Sequence, residues 1–294
     1  MSCTVVQDKN HNEESLAGTP STRVISVTRV TTVITVIGLD RGALSRSGLL
    51  GRTPLCSEKE KDYNYNMIFI TGDTHRDFSR LRLLDLQEGD LVIVLGDAGV
   101  NYYLDSSDVE LKKELSELPC EFFFLRGNHE ARPENISSYK LETVSGIVSG
   151  EVYREPEFPT LMFAAEGLYT IGGYRCFVTN GAYSVDKHYR VRGGMPWFAD
   201  EELSDEEMRE TLEKAKAAGQ VDFVLSHTCP LRYIPTDEFL PFIDQSTVSR
   251  RMEEFLDKLA DVIEYERWYC GHYHTERTID KIWFLYKDIL EFGE

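Results

Sequence analysis

Five short apolar runs in this chain each end in a loop of the same polar make-up. Met67–Thr71 is followed by Gly72-Asp73-Thr74-His75, and Leu91–Leu95 by Gly96-Asp97-Ala98-Gly99. Glu121–Leu125 opens into Arg126-Gly127-Asn128-His129-Glu130, Val221–Ser226 into His227, and Arg267–Cys270 into Gly271-His272-Tyr273-His274. Apolar runs this short, bounded by turn residues, read as strands buried on both faces. Such strands need helices or another sheet to cover them. Ligand sites of α/β sheets gather at the carboxyl ends of the strands, where these five loops stand.

The intervening segments supply the cover. Phe78, Leu81 and Leu84 repeat at helical spacing, and Leu111, Leu115 and Leu118 mark a helix that Pro119 closes. Residues 144–184 carry shorter β-like runs broken by glycine, among them Leu168–Ile171 and Arg175–Thr179, which suggest antiparallel meanders and a change of sheet. Ser204 and Glu207 have capping-box spacing, with acids at the start, Lys214 and Lys216 near the end and Gly219 beyond, so a helix is expected over 204–218. Val248, Met252, Phe255, Leu256, Leu259 and Ile263 predict a strongly amphipathic helix, and Ile282–Tyr286 a closing strand. The fold class is α/β.

Charge narrows the partners. The 294 residues carry a formal charge of −18, which opposes binding that rests on neutralising many nucleic-acid phosphates or on an anionic membrane surface. A local basic channel would still suffice for a nucleic acid. Residues 1–66 differ from the rest: they carry a net charge of +1, are rich in Ser, Thr and Gly, and read as a poorly ordered extension before a domain over 67–294. Their β-prone run, Val24–Leu39, lacks the flanks of a signal peptide. Met67 opens the first clear strand, so translation starting there is an alternative. The six cysteines form no CxxC pair and read as reduced thiols in a cytoplasmic protein. No apolar stretch is long enough to span a membrane.

Five of the seven histidines lie in the strand-end loops; only His11 and His188 do not. Imidazole, carboxylate and amide oxygen suit divalent Mn, Fe, Zn or Ni, and Cys229 and Cys270 read as packing residues. The ordered blocks GDTH, GDAG, GNHE, a lone His and GHYH, from Gly72 to His274, resemble those of the calcineurin-like metallophosphoesterases. That resemblance implies two stacked mixed β-sheets flanked by helices and a site for two divalent metal ions. Asp73, His75 and His274 would hold one ion, Asn128, His227 and His272 the other, and Asp97 would bridge them. The substrate would be a phosphomonoester or small phosphodiester, cleaved by a hydroxide activated between the ions, with His129 as proton donor to the leaving oxygen. Arg126 would grip phosphate oxygens as a bidentate fork.

The departures are informative. LRGNHE (Leu125–Glu130) is similar to the block of Ser/Thr protein phosphatases, yet Val100 and Asn101 stand where those enzymes have the Asp and Arg of GDxVDRG. The Asp that orients the proton-donating His and one phosphate clamp are therefore missing, and the similarity is nearer to small phosphoesterases of bacteria and their phages. The segment Gly181–Gly194 is basic and tyrosine-rich, and reads as a substrate-facing loop with Lys187, Arg190 or Arg192 meeting an anion. A nuclease or cyclic-nucleotide phosphodiesterase on the same site is the alternative activity, and a scaffold without chemistry the alternative class. Every metal position and His129 are present, which argues against the scaffold.

Overall fold

Alternation along the buried strands decides which layer each side chain enters. The computed structural model describes residues 66–239 and 245–294, so the expected extension over 1–66 lies outside the described residues except for its last position. The first half holds β1 (Ile68–Thr71), β2 (Asp90–Val94), α1 (Ser106–Ser116), β3 (Cys120–Phe124), β4 (Lys140–Val144) and β5 (Val148–Arg154). Then come β6 (Leu161–Ala164), β7 (Gly167–Ile171), β8 (Tyr174–Thr179), α2 (Lys187–Gly193), α3 (Asp205–Ala218) and β9 (Gln220–Ser226). The chain closes with α4 (Arg251–Ala260), β10 (Glu264–Cys270), β11 (Arg277–Ile279), β12 (Ile282–Phe284) and β13 (Leu290–Glu291).

β6, β3, β2 and β1 pair in parallel, with β13 antiparallel at the edge. A second mixed sheet runs β7, β8, β9, β10, β12 and β11, of which β8, β9, β10 and β12 are parallel. β5 belongs to both sheets: Val148 and Ser149 pair with β7, whereas Val152–Arg154 pair with β6. This is the change of sheet expected within 144–184. At the crossing, a Cβ on Gly150 would overlap the Tyr169 ring.

Leu91 and Ile93 of β2, Phe123 of β3, Val178 of β8, Phe223 of β9 and Tyr269 of β10 share one buried cluster between the sheets. Their strand neighbours face outward. Val92, Val94, Phe122 and Phe124 pack on Leu111 and Leu115 of α1, and Val224 and Trp268 pack on Met208 of α3 and Phe255, Leu256 and Leu259 of α4. The α/β class and the two stacked mixed sheets flanked by helices are as expected. So is the capping box of α3: Glu207 N donates to Ser204 Oγ at 3.2 Å and Ser204 N to Glu207 Oε2 at 2.7 Å. No helix among the described residues is long and apolar enough to cross a membrane.

Three local expectations are corrected. Phe78, Leu81 and Leu84 do not make an α-helix but a single 3₁₀ turn over Leu81–Leu83, with Leu81 N donating to Phe78 O and Leu84 N to Leu81 O, both at 3.1 Å. A strict spacing of three is the period of that tighter helix, not of 3.6 residues per turn. The basic segment 181–194 is not all loop, because Lys187–Gly193 forms α2, ended by Gly194 in the left-handed conformation. The amphipathic helix spans only Arg251–Ala260, leaving both Val248 and Ile263 outside it.

α1 is tied to the β5–β6 connection by a buried ion pair, Lys112 Nζ to Glu155 Oε2 at 2.6 Å, with Ser138 Oγ donating to the other oxygen. Removing one partner leaves the other charge buried. Lys112→Ala should lower the unfolding free energy by about 3 kcal/mol in a denaturant titration, and Lys112→Met with Glu155→Leu should recover most of that loss.

Candidate metal centre

Parallel pairing sets the ends of β1, β2 and β3 side by side, and the second sheet brings the ends of β9 and β10 to the same place. His227 shows the convergence best. Its Nδ1 donates to the Leu95 carbonyl at 2.7 Å, which turns Nε2 toward Asn128 Oδ1 at 3.1 Å, Asp97 Oδ1 at 3.5 Å and Asp73 Oδ1 at 3.7 Å. His75 Nε2 and His274 Nε2 stand 2.9 Å apart, with His274 Nε2 3.9 Å from Asp73 Oδ1. The His272 ring lies 5.1 Å from that of His227. Asp73, His75 and His274 can each offer one ligand atom within 4.8 Å of the others, as can Asp73, Asp97 and His227.

The backbone bends to achieve this. Seven non-glycine residues among those described have positive φ, and four are predicted ligands: His75 (45°), Asp97 (50°), His272 (68°) and His274 (51°). Each such conformation is costly for a residue with a Cβ and persists where surrounding structure imposes it. The glycines of the motifs make room for one another's ligands. A Cβ on Gly127 would overlap the Asp97 carboxylate, and one on Gly96 the His227 ring. Backbone amides complete the cradle: His129 N donates to Asp97 Oδ1 at 2.8 Å and His272 N to Asp73 Oδ2 at 2.9 Å.

The electrostatics are those of a cation site. Burial pushes Asp73 up to about 6, and the neighbouring Asp97 adds to that push. Burial also opposes the Asp97 charge, but His129, His227 and His75 hold its pKa well below the usual range. Burial drives His75 and His272 down, and His274 to about 4, so these imidazoles keep free lone pairs. His227 moves the other way. Burial disfavours its charge, yet Asp97, Asp73 and the Leu95 carbonyl raise it to about 9. Two buried carboxylates thus share one imidazolium proton at the spot where several nitrogen and oxygen donors meet. With no thiolate in the set, the residues fit borderline divalent ions, and the Nδ1–carbonyl bond of His227 is the outer support a metal-ligating imidazole needs.

The family profile described as calcineurin-like phosphoesterase matches residues 67–276. The chain belongs to the calcineurin-like phosphoesterases. No curated protein matches the sequence. Family membership supports metal-dependent phosphoester hydrolysis, and divalent metal ions as cofactors.

The other predicted site residues divide. His129 joins the cluster, its Nε2 4.0 Å from Asp97 Oδ2 and 4.0 Å from Asp186 Oδ1, with its ring stacked on Tyr102 at 6.2 Å. Arg126 Nη2 is buried without a hydrogen-bond partner among the described residues. Its buried guanidinium donates through Nη1 to the Glu201 carbonyl at 2.7 Å, and its charged neighbours are Arg132, Glu166, Glu134 and Asp200. Of the segment's cations, Lys187 Nζ lies 4.0 Å from the centroid of the Trp197 ring, and Arg192 is exposed. Arg190 is buried behind Tyr102, 5.4 Å from its ring centroid.

Four supporting residues, Ser184, Glu201, Glu130 and Asp186, were given no role by the sequence reading. Asn128 Nδ2 donates to Ser184 Oγ at 3.0 Å, and Ser184 Oγ donates to Glu201 Oε2 at 2.5 Å. Glu130 accepts from Gly99 N at 2.7 Å, pinning the turn after Asp97, and burial with the Asp97 charge raises it to about 8. Asp186 lies in the segment already notable for its bases, and it is the segment's acid that faces His129.

Two outcomes follow from this geometry. Gly127→Ala should weaken metal binding by about 10- to 100-fold, as loss of ligand support does elsewhere, read by calorimetric titration with Mn²⁺. In metal-free protein, His227 (about 9 folded, against an ordinary 6.5) and Glu130 (about 8, against 4.5) both hold protons more tightly when folded. Their stabilisation is complete below the ordinary values and is lost as pH rises through the folded ones. The melting temperature of chelator-treated protein should therefore fall from pH 6.5 to 9. Saturating metal, which replaces the His227 proton, should flatten most of that decline.

Proposed function

We propose that this chain hydrolyses phosphomonoesters or small phosphodiesters with two divalent ions. One would be held by Asp73, His75 and His274 and the other by Asn128, His227 and His272, with Asp97 common to both. The convergence of these seven residues from five strand-end loops is the observation that carries the reading. Such a metal pair polarises a phosphoryl oxygen and makes water nucleophilic at neutral pH.

Hydrolysis forms a P–O bond to the oxygen of water and breaks the P–O bond to the alcohol, which leaves with a proton. His129 is the donor of that proton. Its Nε2 reaches to within 4.0 Å of Asp97 at the centre of the cluster, and its ring is held by Tyr102 and faced by Asp186. A cavity of about 220 Å³ beside Asp73 and His75, lined also by Arg80, Tyr286 and Lys287, offers room for the alcohol part of the substrate. The four described cysteines are buried and unpaired, which supports a reducing compartment such as the cytoplasm.

Chelation should abolish turnover of p-nitrophenyl phosphate, and Mn²⁺, Ni²⁺ or Zn²⁺ should restore it. Asp97→Asn and His227→Ala should each lose at least about 100-fold, the upper end of what a metal's outer support is worth. His129→Ala should keep its metals but lose about 10²- to 10⁴-fold, more for an alkyl than for a nitrophenyl leaving group. A fully metallated protein that cleaves no monoester, diester, cyclic nucleotide, phosphopeptide or single-stranded DNA would return the chain to the scaffold class.

A further inference from the structure

Arg190 is an unusual arginine. It is 1% exposed, carried into the site by the short helix α2. Nη1 donates to Ser184 Oγ at 3.2 Å and lies 4.0 Å from Asp186 Oδ1. Nε and Nη2 are also buried, yet they meet no hydrogen-bond partner among the described residues. These two nitrogens are not scattered donors. In a guanidinium they form one side, with N–H bonds running parallel, and that side takes two oxygens of a single oxyanion. Buried donors left unpaired are expensive, and native proteins rarely leave them so.

The neighbours say where such an oxyanion sits. The Arg190 guanidinium lies over the Tyr102 ring, 5.4 Å from its centroid, and Tyr102 stacks on His129, whose Nε2 is 4.0 Å from Asp97. Ser184 accepts from both Arg190 Nη1 and Asn128 Nδ2, so one hydroxyl positions the arginine and a predicted metal ligand together. Arg190 is thus linked to the cluster through Ser184, Asp186 and Tyr102. Arg126 also leaves a buried nitrogen, Nη2, unpaired, but its Nη1 is tied to the Glu201 carbonyl.

We propose that Arg190 binds the phosphoryl group of the substrate through its Nε–Nη2 edge, and that this makes the site selective for terminal phosphomonoesters over diesters. The proposal rests on the reading of the cluster as a phosphoesterase centre. A monoester has three terminal oxygens, so two meet the arginine edge while the third stays with the cluster. A diester has only two, and seating both on Arg190 leaves none for the cluster without sharing. The monoester also carries the larger negative charge, and the bidentate pairing with a charged group is the stronger kind.

The test compares wild type, Arg190→Gln and Arg190→Lys, each reconstituted with Mn²⁺ and checked for metal content, on p-nitrophenyl phosphate and bis-p-nitrophenyl phosphate. Calorimetric titration with inorganic phosphate runs beside the kinetics. Wild type should prefer the monoester. Both variants should lose about 30-fold or more in kcat/KM on the monoester, chiefly through KM, and bind phosphate correspondingly weakly. Their diester kcat/KM should fall less, so that the monoester-to-diester ratio drops about tenfold or more, while melting temperature and metal content report that fold and metals are intact. Lysine keeps the charge but not the fork, so it should fail with glutamine, and it carries the test if the glutamine variant does not fold. Wild-type preference for the diester, or an unchanged monoester-to-diester ratio in the variants, would overturn the role of Arg190 alone. No turnover of either ester by metallated wild type would instead overturn the phosphoesterase reading beneath it.

Discussion

Asp73 and Asp97 are buried carboxylates at the ends of adjacent parallel strands, with ligand atoms close enough to share one ion. Two like charges in a poorly solvated site cannot both remain ionised without a cation between them. The protein's own answer is the proton on His227, whose pKa those carboxylates raise. A divalent ion is a stronger answer to the same demand. The rest of the site is arranged around that conflict. β9 and β10 of the second sheet open on the same side as β1 and β2, which brings three histidines to the two acids. Four predicted ligands accept left-handed backbone, and glycines stand where one of these side chains passes another.

Outside the ligands lies a second layer built on the segment that follows β8. Glu201 accepts from Ser184 N and Oγ and from Trp197 Nε1, and Ser184 in turn holds Asn128 and Arg190. Arg126 fastens this layer from beneath through the Glu201 carbonyl. Arg126, close to Asn128 in sequence, is thus tied into this layer, and Arg190 joins it through Ser184. Most of these buried polar groups satisfy one another, whereas Arg126 Nη2 and Arg190 Nε and Nη2 meet no partner among the described residues.

Much of this was legible beforehand. The strands could be read because burial on both faces leaves near-continuous apolar runs, and the candidate ligands because they sit one to four residues beyond those runs. Asp73, His75, Asp97, Asn128, His227, His272 and His274 are therefore all local features of a strand end. The 3₁₀ turn at Leu81–Leu83 and the helix α2 were not legible, since three apolar residues or seven mixed ones do not distinguish one local conformation from another. β13 is only two residues long, and its place beside β1 comes from pairing across most of the chain.

The direction of Arg126 and of Arg190 was also beyond sequence. A long, flexible side chain can reach several partners, and which one it takes depends on contacts such as Glu201 and Ser184 that only the folded chain brings near. The same holds for His129. Its neighbour in sequence identifies it as part of the site, but the acid facing it is Asp186, not a residue at position 100. Sequence by itself determined the sheet-forming segments, the metal-ligand chemistry and the family, because these depend on residue type and spacing within a few positions. Tertiary structure decided which carboxylate faces the histidine and which guanidinium edge is left open, because those depend on the approach of segments that no local pattern connects.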